Sequence, residues 1–226
     1  MKKHLFLLSM PLLAAVLLLS GFVAPKPKLL PEIEKFYMGL PTSPNSAHVI
    51  ALNDVSAYIT RGTASDKKIV LAFTCPDNSF KSIAAEIILQ SLLNTDKTNK
   101  LSAVSFGSSA STVDPKLIDV LRKHGFVVSE TSANGQKAWD IKCGENMPSV
   151  TVYSKDASAS SLPKKDFFLM KLCSPAETSC GEISGSVFKR SLPFEKTSPS
   201  MTTDEADKLF SEIAADLVYA YNKSKI

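Results

Sequence analysis

The chain is sparing with the residues that build metal centres, nucleotide cradles and disulfide scaffolds. Its 226 residues hold 4 cysteines, 3 histidines, 1 tryptophan and 9 glycines. Four cysteines are too few for a disulfide framework that replaces a core, so each must be read singly. His4, His48 and His124 fall at no ligand spacing, and no Cys-x-x-Cys or His-Glu-x-x-His run occurs, so no metal is expected. No glycine-rich loop follows a strand-like run, which removes the nucleotide-cradling motifs, and no organic cofactor is expected either. Basic block there is none: 26 basic residues face 22 acidic ones for a net charge of +4, and Lys2 and Lys3 lie in a segment that is not part of the fold. No nucleic-acid partner is therefore expected. What remains, 44% hydrophobic and 21% charged residues, describes one ordinary globular domain with a short addition at an end, and excludes disorder, collagen and coiled coil.

The addition is N-terminal. Met1, Lys2, Lys3 and His4 precede an almost unbroken aliphatic run over residues 5–19, closed by Ser20, Gly21, Phe22, Val23 and Ala24. This is the layout of an export signal. Val23 and Ala24 suit the −3 and −1 positions of a cleavage site, whereas Pro25 at +1 hinders a peptidase, so an uncleaved anchor over residues 5–24 stands as the alternative. No cysteine follows the run, which excludes a lipoprotein anchor. The expected location is periplasmic or otherwise exported, with residues 1–24 as signal peptide or anchor and membrane contact only through them.

Pro25, Pro27 and Pro31 with Lys26 and Lys28 make a stiff spacer. Short helix-like runs follow around Ile33, Phe36 and Tyr37, then Ile50, Leu52, Val55, Tyr58 and Ile59, so residues 25–64 read as a linker and helical extension. From there the pattern changes. Residues 69–74 are a continuous apolar run of strand length and residues 81–94 are helical; residues 101–106 form a second strand. Asp114 and Pro115 supply an N-cap and an N1 proline, and Gly125 a stop. Residues 150–153 and 167–173 are further strand candidates, and Thr202 with Glu205 forms a capping box before a last helix. Strands alternating with helices imply an α/β fold, a parallel sheet with helices on both faces, in residues 65–226. Such sheets bind ligands beyond the carboxyl ends of their strands.

The loop after the first strand reads Cys75, Pro76, Asp77, Asn78, Ser79, Phe80, Lys81, Ser82. Backbone N–H groups curling over a helix N-terminus make an anion nest; a cysteine at its floor has its thiolate favoured by the same field, and a base on the rim adds charge. A thiolate beneath a bound oxyanion is an in-line nucleophile. The plainer alternative is a small buried apolar residue at a strand end.

Residues 69–86 resemble the phosphate-binding loop of low-molecular-weight protein tyrosine phosphatases and of the thioredoxin-coupled arsenate reductases built on that fold. There, cysteine, five residues, arginine and serine run into a helix with an Ala-Glu pair, here Ala85 and Glu86. Ser105, Phe106 and Gly107, then Val113, Asp114, Pro115 and Leu121, then His124, Gly125 and Ser129, are similar to the next strand and helix. Leu172, Cys173, Ser174, Ala176, Glu177 and Cys180, followed by Lys189, Arg190, Leu192, Pro193, Phe194 and Glu195, look like the reductase branch. The resemblance covers roughly residues 65–222. It implies a three-layer open sheet of about four parallel strands. It also implies that Cys75 attacks phosphorus or arsenic, that Asn78, Ser79, Phe80, Lys81 and Ser82 hold a phosphate or arsenate oxyanion, and that Ser82 hydrogen-bonds the thiolate. Cys173 would then displace arsenite from Cys75, and Cys180 would resolve the product into a disulfide for a thioredoxin-like reductant.

Several positions depart from that pattern. Lys81 stands where the family has arginine, and an ammonium lacks the bidentate grip of a guanidinium. Pro76 has no N–H, and Asp77 sets a carboxylate beside a pocket for a dianion. The family's leaving-group acid aligns with Lys196 and Thr197, with Glu195 one position early and Asp204 several late, so no residue matches a role typically worth ~10²–10⁴ in rate. Three readings stand. The first is an exported phosphatase-like or arsenate-reductase-like enzyme of slow turnover. The second is a catalytically degenerate anion-binding or scaffold protein of the same fold; separately, a structural disulfide between Cys173 and Cys180, clasping residues 174–179 under oxidising conditions, stands beside the relay as its alternative. A thiol–disulfide protein using only its cysteines is the third. Cys143 matches no motif.

Overall fold

A computed structural model describes residues 25–65, 67–96, 100–177 and 179–226; the expected export segment lies outside them. No helix among the described residues is long and apolar enough to cross a membrane. The chain opens with β1 (Lys28–Leu29), α1 (Pro31–Met38), a 3₁₀ turn at Ser46–His48 and α2 (Val49–Ala64). Then come β2 (Ile69–Cys75), α3 (Lys81–Leu93), β3 (Leu101–Gly107), α4 (Pro115–Lys123), β4 (Val127–Ala133) and β5 (Gln136–Lys142). Short β6 (Gly144–Glu145) and β7 (Val150–Val152) lead to β8 (Phe167–Lys171), β9 (Ser186–Ser191) and the long α5 (Thr203–Lys223).

The protein is α/β: a four-stranded parallel sheet in the order β3-β2-β8-β9, flanked by helices. β2 sits at its centre, paired on both edges, which is why its sequence is apolar without alternation. α3 is buried almost all round and accordingly has no polar face. α4 starts where Asp114 accepts the Lys116 N–H at 2.9 Å with Pro115 behind it, and Gly125 at φ 86° takes the left-handed conformation after its end. At α5 the Thr202 and Glu205 capping box is formed in both directions.

The two faces of the sheet are covered unequally. Leu71 and Phe73 of β2 face the main core, shared with Ile83 and Ile87 of α3 and Phe210, Ile213 and Leu217 of α5. Ile33, Leu52, Val55 and Ile59, from α1 and α2, are fully buried in that same core and contribute about 1.5–3 kcal/mol each. Ala72, Phe106, Phe167 and Leu169 face the other way onto Leu162, with Val70, Val104, Ala157, Ala159 and Ile183 around them. Among the described residues, the side chains packed onto this second face from outside the sheet, Ala157, Ala159, Leu162 and Ile183, come from turn and loop segments. The crossover from β3 to β8 holds α4 and the antiparallel sheet β4-β5-β7. Of that sheet, β7 answers the strand expected at residues 150–153, whereas β4, β5 and the edge strand β9 are elements the hydrophobic pattern did not announce. Register brings the functional end into line: Cys75 pairs with Gly107 and Thr74 with Lys171, so β2, β3 and β8 end at one level.

Candidate active site

Strand β2 delivers Cys75 to the carboxyl end of the sheet, and residues 76–80 turn the chain into α3. The turn requires a left-handed residue, Asn78 at φ 48°, which asparagine tolerates better than most. No side chain caps α3: its N-cap is Phe80, whose ring is buried in the core. The first-turn N–H groups are thereby left to the loop; the Ser82 N–H, from that turn, and the Asn78 N–H, from the loop before it, address the sulfur. Gly107 must be glycine for the strand ends to meet, because a Cβ there would fall 2.5 Å from Ser109 O and 2.7 Å from Asn78 N.

A buried polar network lies under the sulfur. Cys75 Sγ is 2.9 Å from Ser82 Oγ. Asn78 Nδ2 donates to Ser82 Oγ at 2.8 Å and to Ser105 Oγ at 3.0 Å, while its Oδ1 accepts the Lys155 N–H at 2.6 Å. That last bond fixes the orientation of the amide. Since Asn78 supplies a hydrogen to each hydroxyl, the hydroxyl hydrogen of Ser82 turns to the sulfur. That of Ser105 turns to Glu86 Oε2, an oxygen that lies 3.6 Å from Lys155 Nζ. Burial pushes the Glu86 carboxyl up, with Lys155 opposing. Burial likewise pushes the Cys75 thiol up; the Ser82 hydroxyl and backbone N–H groups lower it, and the Asp77 carboxylate raises it again. The net direction is upward, which favours the thiol over the thiolate.

The rim is satisfied from within. Both carboxylate oxygens of Asp77 accept from Ser79 Oγ at 2.9 Å, and Oδ1 also accepts the Ser79 N–H at 3.2 Å while lying 3.9 Å from Cys75 Sγ. The backbone and hydroxyl donors of Ser79 are thus held by the protein's own carboxylate. Lys81 is buried, and its ammonium is committed to Glu177 Oε2 at 2.6 Å. Cys173 and Cys180 form a disulfide around the loop that carries Glu177, and Cys180 Sγ stands 4.0 Å from the Thr74 carbonyl oxygen, one residue from Cys75.

Of the expected residues, Cys75, Asn78, Ser79 and Ser82 therefore come together around one loop, and Lys81 points to the disulfide-closed segment. Phe80 takes part through its backbone position alone. Glu177 and Lys155 are the partners that sequence reasoning missed, along with the linking role of Ser105 and Glu86. Lys155 falls in a serine-rich stretch that reads only as a polar loop. Glu195 and Asp204, which flank the expected acid position, make no hydrogen bond to this network among the described residues; Glu195 lines an outer depression with Lys208 and Glu212. Another depression, of about 550 Å³, surrounds His48, whose Nδ1 lies 2.6 Å from Asp216 Oδ2 and whose Nε2 donates to Pro193 O; none of its lining residues belongs to the Cys75 loop. Cys143 is buried, free, and pushed up to about 12 by desolvation, which leaves it inert.

No protein-family model matches the chain, and a comparison with curated proteins finds no relative. Among solved structures the chain is similar to an arsenate reductase in its phosphate-binding state, at 15% identity and a TM-score of 0.42 over 70% of this chain and 98% of that one. It is also similar to the arsenate reductase of Archaeoglobus fulgidus DSM 4304, at 15% identity and a TM-score of 0.38 over 67% and 98% of the two chains. A third likeness is to a thioredoxin-dependent arsenate reductase of Corynebacterium glutamicum, at 16% identity and a TM-score of 0.34 over 80% and 79%.

Proposed function

We propose that the Cys75 loop is a tetrahedral oxyanion site and that Cys75 is its nucleophile, acting on phosphate monoesters or arsenate in an exported protein. One observation carries this reading: the Cys75 sulfur lies beneath the uncapped start of α3, 2.9 Å from a Ser82 hydroxyl whose hydrogen is directed to it by Asn78. With arsenate, the Cys75 sulfur attacks arsenic and an arsenate hydroxyl leaves as water, taking up the proton that the thiol gives up. Cys173 then attacks the Cys75 sulfur, arsenite departs with the electron pair, and Cys180 attacks Cys173 to release Cys75. The cycle ends with a Cys173–Cys180 disulfide and a free Cys75, and these are the states that the cysteines hold here. A thioredoxin-like dithiol would restore the pair.

The second reading, an anion-binding or scaffold protein without turnover, is favoured by the self-satisfied rim, in which Asp77 holds Ser79 and Glu177 holds Lys81. The test is hydrolysis of p-nitrophenyl phosphate and reduction of arsenate by the purified protein with dithiothreitol, parent against Cys75→Ser. Turnover that vanishes in the variant is expected; equal background rates in both would leave the scaffold reading. Residues 1–24 are proposed to deliver the domain across a membrane, which cell fractionation of the full chain against one lacking them checks.

A further inference from the structure

The ring closed by Cys173 and Cys180 carries the carboxylate that holds Lys81. Lys81 Nζ and Glu177 Oε2 are 2.6 Å apart, their side chains 1% and 5% exposed. The same oxygen accepts the N–H of Ser174, so Glu177 is braced by its own ring as well as by the lysine. That ring is seated firmly on the strand ends. Its Cys180 lies against the Thr74 carbonyl, and the next residue, Gly181, passes so close that a Cβ would fall 2.6 Å from Thr74 Oγ1 and 2.7 Å from the Gly107 carbonyl carbon. A buried ammonium in such a pair serves a second anion only if its carboxylate moves, since neither charge can be left alone in the interior.

We propose that Glu177 is a positioning residue for Lys81, and that the Cys173–Cys180 disulfide decides whether Lys81 answers Glu177 or an oxyanion over Cys75. The proposal rests on reading the Cys75 loop as an oxyanion site. The closed ring is the state that withholds the base. A dithiol reductant of the thioredoxin type opens it: one of its thiolates attacks a ring sulfur, the S–S bond breaks, and the displaced protein thiolate takes up a proton. The second reductant thiol then displaces the remaining protein sulfur, so two electrons pass to the protein, which ends with two thiols, and the reductant leaves as a disulfide. Without its covalent closure the ring gains conformational freedom, Glu177 loses its fixed place, and Lys81 exchanges one carboxylate for a tetrahedral anion.

The experiment is calorimetric titration of the purified full chain with inorganic phosphate: oxidised parent, reduced parent, oxidised Glu177→Gln, and Lys81→Met in both states. Reduction and Glu177→Gln are each expected to tighten phosphate binding about 10-fold or more over the oxidised parent, and Lys81→Met to show no gain on reduction. Equal phosphate affinity in oxidised and reduced parent, or a gain that persists in Lys81→Met, overturns the clamp while leaving the oxyanion loop standing. Absence of phosphate binding from every folded form overturns the loop reading and the clamp with it. Should Glu177→Gln fail to fold, the parent and Lys81→Met titrations still decide the matter.

Discussion

The floor of the Cys75 loop and its rim use adjacent residues in opposite ways. On the floor, Asn78 reaches Ser82, Ser105 and Lys155 at once, and the chain of hydrogen bonds that passes through Ser82 ends on the sulfur. On the rim, Asp77 turns to Ser79 and Lys81 turns to Glu177, so each charged group is answered by another part of the protein. The floor is directed toward the sulfur; the rim is directed toward the protein's own side chains. On the proposed reading of the loop as an oxyanion site, the setting of the thiol and the capture of an anion are separable features, the first kept and the second placed under the control of the protein's own carboxylates.

The largest effect expected from this contrast is on stability. Asn78→Ala removes three hydrogen bonds from a fully buried position and puts alanine at a positive φ. It leaves the Lys155 N–H without its acceptor, so it should cost about 3 kcal/mol or more in urea unfolding. Asp77→Ala, on the partly exposed rim, should cost under about 1 kcal/mol. Equal costs would dissolve the distinction between floor and rim.

A smaller effect concerns pH. Burial holds the Glu86 carboxyl above its ordinary range, so the folded chain binds this proton more tightly than the unfolded chain. The stability that Glu86 lends is therefore complete below its unfolded value and is lost as pH rises through the raised folded value. Each unit of that rise corresponds to about 1.4 kcal/mol. Urea midpoints of the parent should fall across this window, and Glu86→Gln should flatten the slope. A slope unchanged in Glu86→Gln would place the titration elsewhere.

How much of this was legible in the sequence follows the range of each interaction. The apolar run of β2, the helical stripe of α3, the Asp114 cap and the Thr202 capping box are local, and their signals lie within a few residues. The α/β architecture with a parallel sheet followed from them. The β4 and β5 hairpin turns on Asn134 and Gly135, both at positive φ, but β4 holds only exposed and half-buried positions and β5 buries Ala138 and Ile141 three positions apart, so neither strand carries a regular apolar alternation. β9 is an exposed edge strand with the same defect. In the site, Cys75, Asn78 and Ser82 share one loop and could be placed together. Lys81 and Glu177 lie 96 positions apart and Asn78 and Lys155 lie 77 apart, so only the folded sheet ends bring them into contact.

The finest prediction asks whether rim and floor communicate. Asp77 Oδ1 lies 3.9 Å from Cys75 Sγ, and its charge is one of the causes that raise the thiol. Asp77→Asn keeps an oxygen for the Ser79 N–H and deletes that charge, so the thiolate fraction of Cys75 should grow at any pH below its titration. Iodoacetamide labelling of Cys75 near pH 8 should quicken by roughly 3-fold. Ser82→Ala removes a group that lowers the thiol and should slow labelling instead. The opposed signs matter more than the sizes: a common acceleration in both variants would mean that each merely opens the loop to reagent. Divergent rates would show that the sulfur is tuned by charge above and by a hydroxyl below.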